Sequence, residues 1–494
     1  MLLYACYYGT ASLDRFEAFQ APGFDLGIFD QGIWLLSRFK EPFITIMGLN
    51  LFGDHASYIL LALVPLYWIW PAAQLLLIVQ TLALCLAAAP VFLLARRALR
   101  SSWLALLPAI GFLLTPALGW LNLENFHPDS FEVPLVLFAL YFMTERRWRA
   151  YLVMVLLLLS VKEDVPFLVV PLGIYVALRH DRRMGLITAY TGAIWFIVTV
   201  FFLGPFLSGA SAGSLDAFRV PFGGLLGLIS TALRSPWEVA EYMLSAAKIK
   251  YLIQLLTPVF FLPLLTAGSL IALPAILFNL LSTFSYQANI RYHYTSLIIP
   301  VFAWAAVLHT GRVKDPGSRK ALAFAVLLAS LFAAYAWGPS QWSREPARFY
   351  DPQSAEARAA AEAVALIPDD AVVAARSRLA THLTHRERVY DFPTPFAASY
   401  WGDASLDGER LPAADDVEFV LEVPDRLSGT AAEVFPRLGE EGFREIFSRE
   451  GVVLLQRVDV GGPSSTQSLT AATSSPTIIG PKSDTQERRR QDAR

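Results

Sequence analysis

The chain is short of charge. Asp, Glu, Lys and Arg make up only 17% of its 494 residues, against about 25% in soluble domains, which excludes an ordinary soluble globular protein. Cysteine is nearly absent: Cys6 and Cys85 both lie in apolar stretches, so they read as packing residues and a disulfide framework is excluded. No polycationic stretch occurs and the formal net charge is −2, which leaves no electrostatic footprint for nucleic acid. There is no Gly-rich phosphate loop, no Walker sequence and no HExxH ligand pair. No basic region precedes the apolar residues 1–8, so they are not a signal peptide. They are also too short for a span, which needs about 20 apolar residues. The expectation is that the first helix begins upstream and is only partly present.

What is present is apolar surface. The chain is 55% hydrophobic with a mean hydropathy of +0.46, and long apolar runs fill residues 1–340. This is the pattern of a polytopic, all-α membrane protein, expected to have about 10–11 transmembrane helices. Four basic clusters, RRALR (96–100), RRWR (146–149), RHDRR (179–183) and 312–320, each close one apolar run and open the next. An excess of Lys and Arg in short loops marks the cytoplasmic side. With all four inside, 72–95 runs inward, 103–121 outward, 133–144 inward and 186–203 outward. Residues 248–265 and 270–284 pair as a hairpin, 295–309 returns inward and 321–337 leaves again.

Residues 151–178 look like one long helix, but basic clusters flank both ends and Lys162-Glu163-Asp164 sits mid-way, with Pro166 after it. Two short helices with this tip pointing outward satisfy the charge pattern; a single tilted helix with Lys162 and Glu163 paired is the alternative. Non-helical backbone at membrane depth is tolerated only beside protein or water, so the hairpin predicts a cavity. Residues 58–70, broken by Pro65 and ended by Trp68 and Trp70, read as an interfacial helix. Residues 25–39 read as a helix lying on the outer surface.

The composition changes after Trp337. Residues 354–366 read as a helix, 371–375, 388–392, 417–423 and 452–457 as strands, and 429–438 as a helix between strands. Residues 351–458 are therefore expected to form a small extracytoplasmic α/β domain that acts as a lid or binding module. Residues 460–494, rich in Ser, Thr, Gly and Pro and then in charge, are expected to be a disordered tail.

Polar segments interrupt the apolar runs on what this topology makes the outer side: FDLGIFDQ (24–31), GDHAS (53–57), ENFHPDSFE (124–132), KED (162–164) and RYHY (291–294). Ionisable groups near hydrocarbon are costly and mark cavities or sites. Asp25 and Asp30 are carboxylates able to take a proton or meet a cation, with Glu124 as a further candidate. Asp54 is equally placed to cap a helix. His55, His127 and Asp129 are candidate metal ligands, for a divalent cation, without a familiar spacing. Lys162, Arg219 and Arg291 suit phosphate; Glu163, Tyr292 and His293 lie beside them as candidate substrate-binding residues. Each also has a plainer use: a solvated carboxylate, or an arginine reaching the interface.

Together FDLGIFDQGIW, GDHASYILLALVPLYWIW, LLARRAL, ENFHPDSFEVP, VKEDVP, RYHYTSLIIP and IPDDAVVAARSRLATHLTHRERVYDFP resemble a family of predicted bacterial membrane proteins catalogued as a domain of unknown function. The resemblance covers nearly the whole chain to about Arg457. That family is similar in layout to the GT-C glycosyltransferases, which take sugars from polyprenyl-phosphate donors at the outer face. Asp25, the segment from His55 to Tyr67, Ala95-Arg96-Arg97 and Arg291-Tyr292 to Pro300 fall where those enzymes carry an acidic pair, an interfacial helix, a basic span end and an R-Y-x-x-P segment. The resemblance implies that Asp25 is the base or a metal-associated carboxylate and that Arg291 touches the donor phosphate. The acidic dipeptide of that superfamily is replaced here by Asp25-Leu26, with Asp30 five residues on.

The expected function is transfer of a sugar from a polyprenyl-phosphate donor to an acceptor. In that reading Asp25 acts as base, with Asp30 or Glu124 as alternates, and Arg291 and Lys162 neutralise the leaving phosphate. His55 and His127 orient groups or hold a cation. A transporter or flippase, or a non-catalytic scaffold or sensor, are the other readings; transporters often show internal repeats, and no such repeat is visible.

Overall fold

The computed structural model describes residues 1–208, 219–400 and 404–458; the expected tail lies outside them. Residues Met1–Arg457 form one compact unit. Four described helices are long and apolar enough to cross a bilayer: Ala73–Leu99, Arg182–Ser208, His293–Arg312 and Pro316–Trp337. Ser102–Leu113 and Pro116–Glu124, bent by 48°, make a fifth if counted as one span. The remaining apolar runs are shorter pieces, including Trp148–Leu159, Pro166–Arg179 and Ala267–Leu281. At about 1.5 Å per residue these reach only part way across a ~30 Å core, so most of the expected span count consists of broken or partial helices. In Arg182–Ser208 and Pro316–Trp337 only 17% and 28% of the apolar window is buried. Ile194, Phe202, Leu328 and Phe332 therefore face outward, as on helices that face lipid.

Residues 151–178 adopt the two-helix arrangement. Trp148–Leu159 and Pro166–Arg179 are separated by a turn at 160–165. The Tyr151 hydroxyl lies 3.1 Å from the Thr188 hydroxyl near the start of the next helix, so both basic ends sit together and the Lys162 tip lies at the other end. Pro166–Arg179 and Arg182–Ser208 pack almost backbone to backbone: a Cβ on Gly185 would fall 2.1 Å from the Ala177 nitrogen. Only glycine fits there.

The C-terminal region carries a five-stranded sheet. A small hairpin, β1 (Phe43–Ile44) and β2 (Leu49–Asn50), precedes it in the chain. The sheet contains β3 (Val373–Ala375), β4 (Val389–Asp391), β5 (Phe419–Glu422), β6 (Phe443–Arg449) and β7 (Val452–Arg457), in the order β4-β3-β5-β7-β6. β3 is parallel to both β4 and β5, and β7 is antiparallel to β5 and β6. Strand β6, sequence FREIFSR, was not expected, because its alternation is masked by charged residues on an exposed face. Alternate strand residues face opposite ways. Val372, Ala374, Tyr390 and Val420 close a small core of the sheet's own. Val373, Ala375, Leu421 and Leu454 share a core with Phe16, Leu26, Ile33 and Tyr67 of the N-terminal part. The helix Ile28–Ser37 lies inside that shared core, with Ile28, Phe29, Asp30 and Ile33 buried. It does not lie on the surface, because C-terminal residues such as Val373, Leu379 and Leu421 pack into the same core.

Candidate active site

The five polar segments meet in a cavity of about 280 Å³ whose lining includes Asp25, His55, Glu124, His127, Asp129, Lys162, Arg219, Tyr292 and His293. Its floor is the connection after Pro116–Glu124. Gln80, buried in the Ala73–Leu99 helix, accepts from the His127 backbone N–H (2.9 Å) and donates to the Asn125 carbonyl (2.6 Å). A glutamine within an apolar run is the sequence signal for this role, and nothing local says which backbone groups it meets.

Glu124, His127 and His293 bring their ligand atoms within 4.8 Å of one another. His293 Nδ1 is 3.3 Å and His127 Nε2 is 3.8 Å from Glu124 Oε1, and His127 Nε2 is 3.7 Å from Asp25 Oδ2. The two imidazoles stack at 3.9 Å. His127 Nε2 and Glu124 Oε2 are buried without a hydrogen-bond partner. Burial and the neighbouring His293 hold the His127 imidazole below its ordinary pKa, which keeps it in the neutral, ligating form. Two imidazoles and a carboxylate with unpaired buried atoms fit a divalent cation. This set shares only His127 with the expected ligands.

His55 and Asp129 are instead engaged by the hairpin tip. Lys162 Nζ donates to Asp129 Oδ1 at 3.1 Å. His55 Nδ1 is 2.8 Å from Glu163 Oε1, whose Oε2 accepts from the Ala56 N–H. Burial acts against the charged His55, but Asp54 and Glu163 outweigh it and raise its pKa to about 9. Burial likewise opposes the Asp129 carboxylate, and Lys162 overcomes it, holding Asp129 well below its usual range.

Asp25 enters the cavity from Gly23–Gly27 with φ 76° and ψ −89°, near the strained γ-turn region. The C-terminal segment holds this turn. The Gly23 N–H donates to Ser377 Oγ (2.9 Å), and Thr381 Oγ1 donates to the Ala21 carbonyl (3.0 Å). A Cβ at residue 23 would come within 2.5 Å of the Ser377 carbonyl oxygen.

Asp30 is not in the cavity. It is 1% exposed. It accepts from the Tyr67 hydroxyl (2.6 Å) and from Thr384 Oγ1, and lies 3.1 Å from His385 Nε2. Burial opposes its ionised form, but His385 together with those hydroxyls holds its pKa down. Arg291 also points elsewhere, over the Trp120 ring and 3.4 Å from Glu345. Thr384 and His385 escaped sequence reading because nothing local couples them to Asp30, some 350 residues away.

A helical membrane part carrying this cavity, with a small C-terminal sheet, is an overall fold shared with a solved membrane protein. The crystal structure of ArnT from Cupriavidus metallidurans bound to undecaprenyl phosphate superposes with a TM-score of 0.52 at 11% identity, covering 94% of this chain and 99% of that one. The apo form of the same protein gives a TM-score of 0.49 at 10% identity, covering 90% and 95%. No curated protein matches the sequence. The chain belongs to the family described as "Predicted membrane protein (DUF2079)", whose model matches residues 15–410.

Proposed function

We propose that this protein transfers a sugar from a polyprenyl-phosphate donor to an acceptor hydroxyl at the outer face of the membrane, with its C-terminal sheet on that side. The observation that carries the reading is the gathering of Asp25, the Glu124–His127–His293 set, Lys162 and Arg219 around one cavity of a GT-C fold. Asp25 takes the proton of the acceptor hydroxyl as that oxygen bonds to the sugar's C1. The bond from C1 to the phosphate oxygen breaks, and polyprenyl phosphate leaves with the electron pair. In this reading Lys162 and Arg219, which line the cavity, stabilise that charge, and Tyr292 beside them contacts the donor. Glu124, His127 and His293 would hold a divalent cation, which when bound supplies positive charge beside the phosphate. His55, Glu163 and Asp129 hold the hairpin tip, and Asp30 anchors the C-terminal segment that poses Asp25.

The test is a transfer assay in membranes with radiolabelled polyprenyl-phosphate sugars. Asp25→Asn is expected to lower kcat by about 10²- to 10⁴-fold, the range of a lost general base. Equal activity in both chains removes Asp25 from that role.

A further inference from the structure

A second cavity, of about 320 Å³, lies behind the first. The two share walls. The Pro116–Glu124 helix ends with the Glu124 side chain in the central cavity, while the carbonyls of Leu123 and Glu124 accept from Arg15 Nη1 on the other side. The 291–293 stretch divides in the same way: Tyr292 and His293 line the central cavity and Arg291 lines the second.

Three guanidinium groups, from Arg15, Arg291 and Arg348, line this second cavity. Arg15 is fixed by carbonyls, including that of Gln20 at 3.1 Å. The Arg291 guanidinium sits 4.8 Å over the Trp120 ring, which is itself anchored by a 2.8 Å bond from its Nε1 to the Trp337 carbonyl. Arg348 lies over Tyr350. Among the described residues Glu345 is the one carboxylate within ion-pair distance of any of them, at 3.4 Å from Arg291, and its side chain is 70% exposed. Arg15 also feels the Glu124 and Asp25 carboxylates from beyond the shared wall, which leaves Arg291 and Arg348 facing the cavity with the loosely held Glu345 as their one ion-pair partner among the described residues. Guanidinium forks match phosphate and carboxylate oxygens, and the two exposed ones, Arg291 and Arg348, are free to turn toward an anion beside the fixed Arg15.

We infer that this second cavity binds a phosphate or carboxylate group of the acceptor, placing its hydroxyl across the shared wall from the donor. The anion site stands on the geometry, and its assignment to the acceptor rests on the transfer reading above.

Phenylglyoxal modification of arginines, read residue by residue by mass spectrometry on the full chain in phosphatidylcholine nanodiscs, tests this. Inorganic phosphate at ~20 mM is expected to slow modification of Arg291 and Arg348 by about five-fold and to leave the exposed Arg437 unchanged, since fork-to-oxygen contacts shield the reagent's target. The surface variant Glu345→Gln is expected to strengthen that protection, because it removes the competing carboxylate. Equal slowing at Arg437, or none at Arg291 and Arg348, overturns the site. A short-chain polyprenyl phosphate is expected to protect Arg219 and leave Arg291 and Arg348 reactive; protection of that pair instead overturns the acceptor assignment. If phosphate protects the pair while polyprenyl phosphate never protects Arg219, the anion site stands and the donor reading falls. Protection of the pair in phosphatidylglycerol discs without added phosphate identifies a lipid headgroup as the source; its absence there identifies a free phosphate group.

Discussion

Asp25 is where strain and chemistry coincide. A non-glycine residue at φ 76°, ψ −89° costs on the order of 1–3 kcal/mol and persists only where its surroundings over-determine it. Here the hydroxyls of Ser377 and Thr381 hold the chain on the near side. Glycine occupies that region without penalty, so Asp25→Gly is expected to raise unfolding stability by about 1 kcal/mol while transfer falls to background. Thermal unfolding in detergent reads the first effect and the membrane assay the second. A less stable glycine variant would mean that the turn stores no strain. Sequence spacing identified Asp25 as a candidate but could not separate it from Asp30. Their difference is burial: Asp30 is sealed among Tyr67, Thr384 and His385, whereas Asp25 opens into the cavity.

At the scale of elements, the hairpin tip is tied to two others. Lys162 reaches Asp129 after the Pro116–Glu124 helix, and Glu163 reaches His55 at the end of Leu51–Asp54. The basic clusters and the central Lys-Glu-Asp predicted this hairpin, because a single helix would have placed one basic end on the wrong side. They did not predict which residues the tip meets. The His55 contact has a pH signature. Its folded-state pKa of about 9 lies above the ordinary value, so its contribution of about 3 kcal/mol is fully present below pH 6.5 and is lost as pH rises through about 9. The unfolding midpoint of the native chain is expected to fall relative to that of His55→Asn between those limits. Parallel curves for the two would mean that the ion pair contributes nothing.

On the scale of the whole molecule, the apolar helices and the sheet are one compact unit, joined by a core that mixes Phe16, Leu26 and Ile33 with Val373 and Leu421. Under the proposed topology the sheet, the hairpin tip and the cavity share the outer side, and the basic loops lie inside. Single cysteines on a background lacking Cys6 and Cys85 test this in intact cells. A membrane-impermeant maleimide is expected to label Arg437→Cys on the sheet side and to spare Arg147→Cys in a basic loop. Labelling at position 147, or none at 437, would invert the assignment and remove the outer-face reaction.

The sequence by itself determined the membrane class, the polar segments, the two-helix arrangement around Lys162 and four of the five strands of the C-terminal sheet. These follow from hydropathy, charge and side-chain alternation, which are local along the chain. Tertiary structure alone decided that Glu124 and His293 join His127, that Asp30 becomes an anchor, and that Arg291 faces a second cavity. Those outcomes depend on which groups burial brings together from distant parts of the chain, as with Glu124 and His293 or Asp30 and Thr384, and on which of them find partners that offset the loss of water.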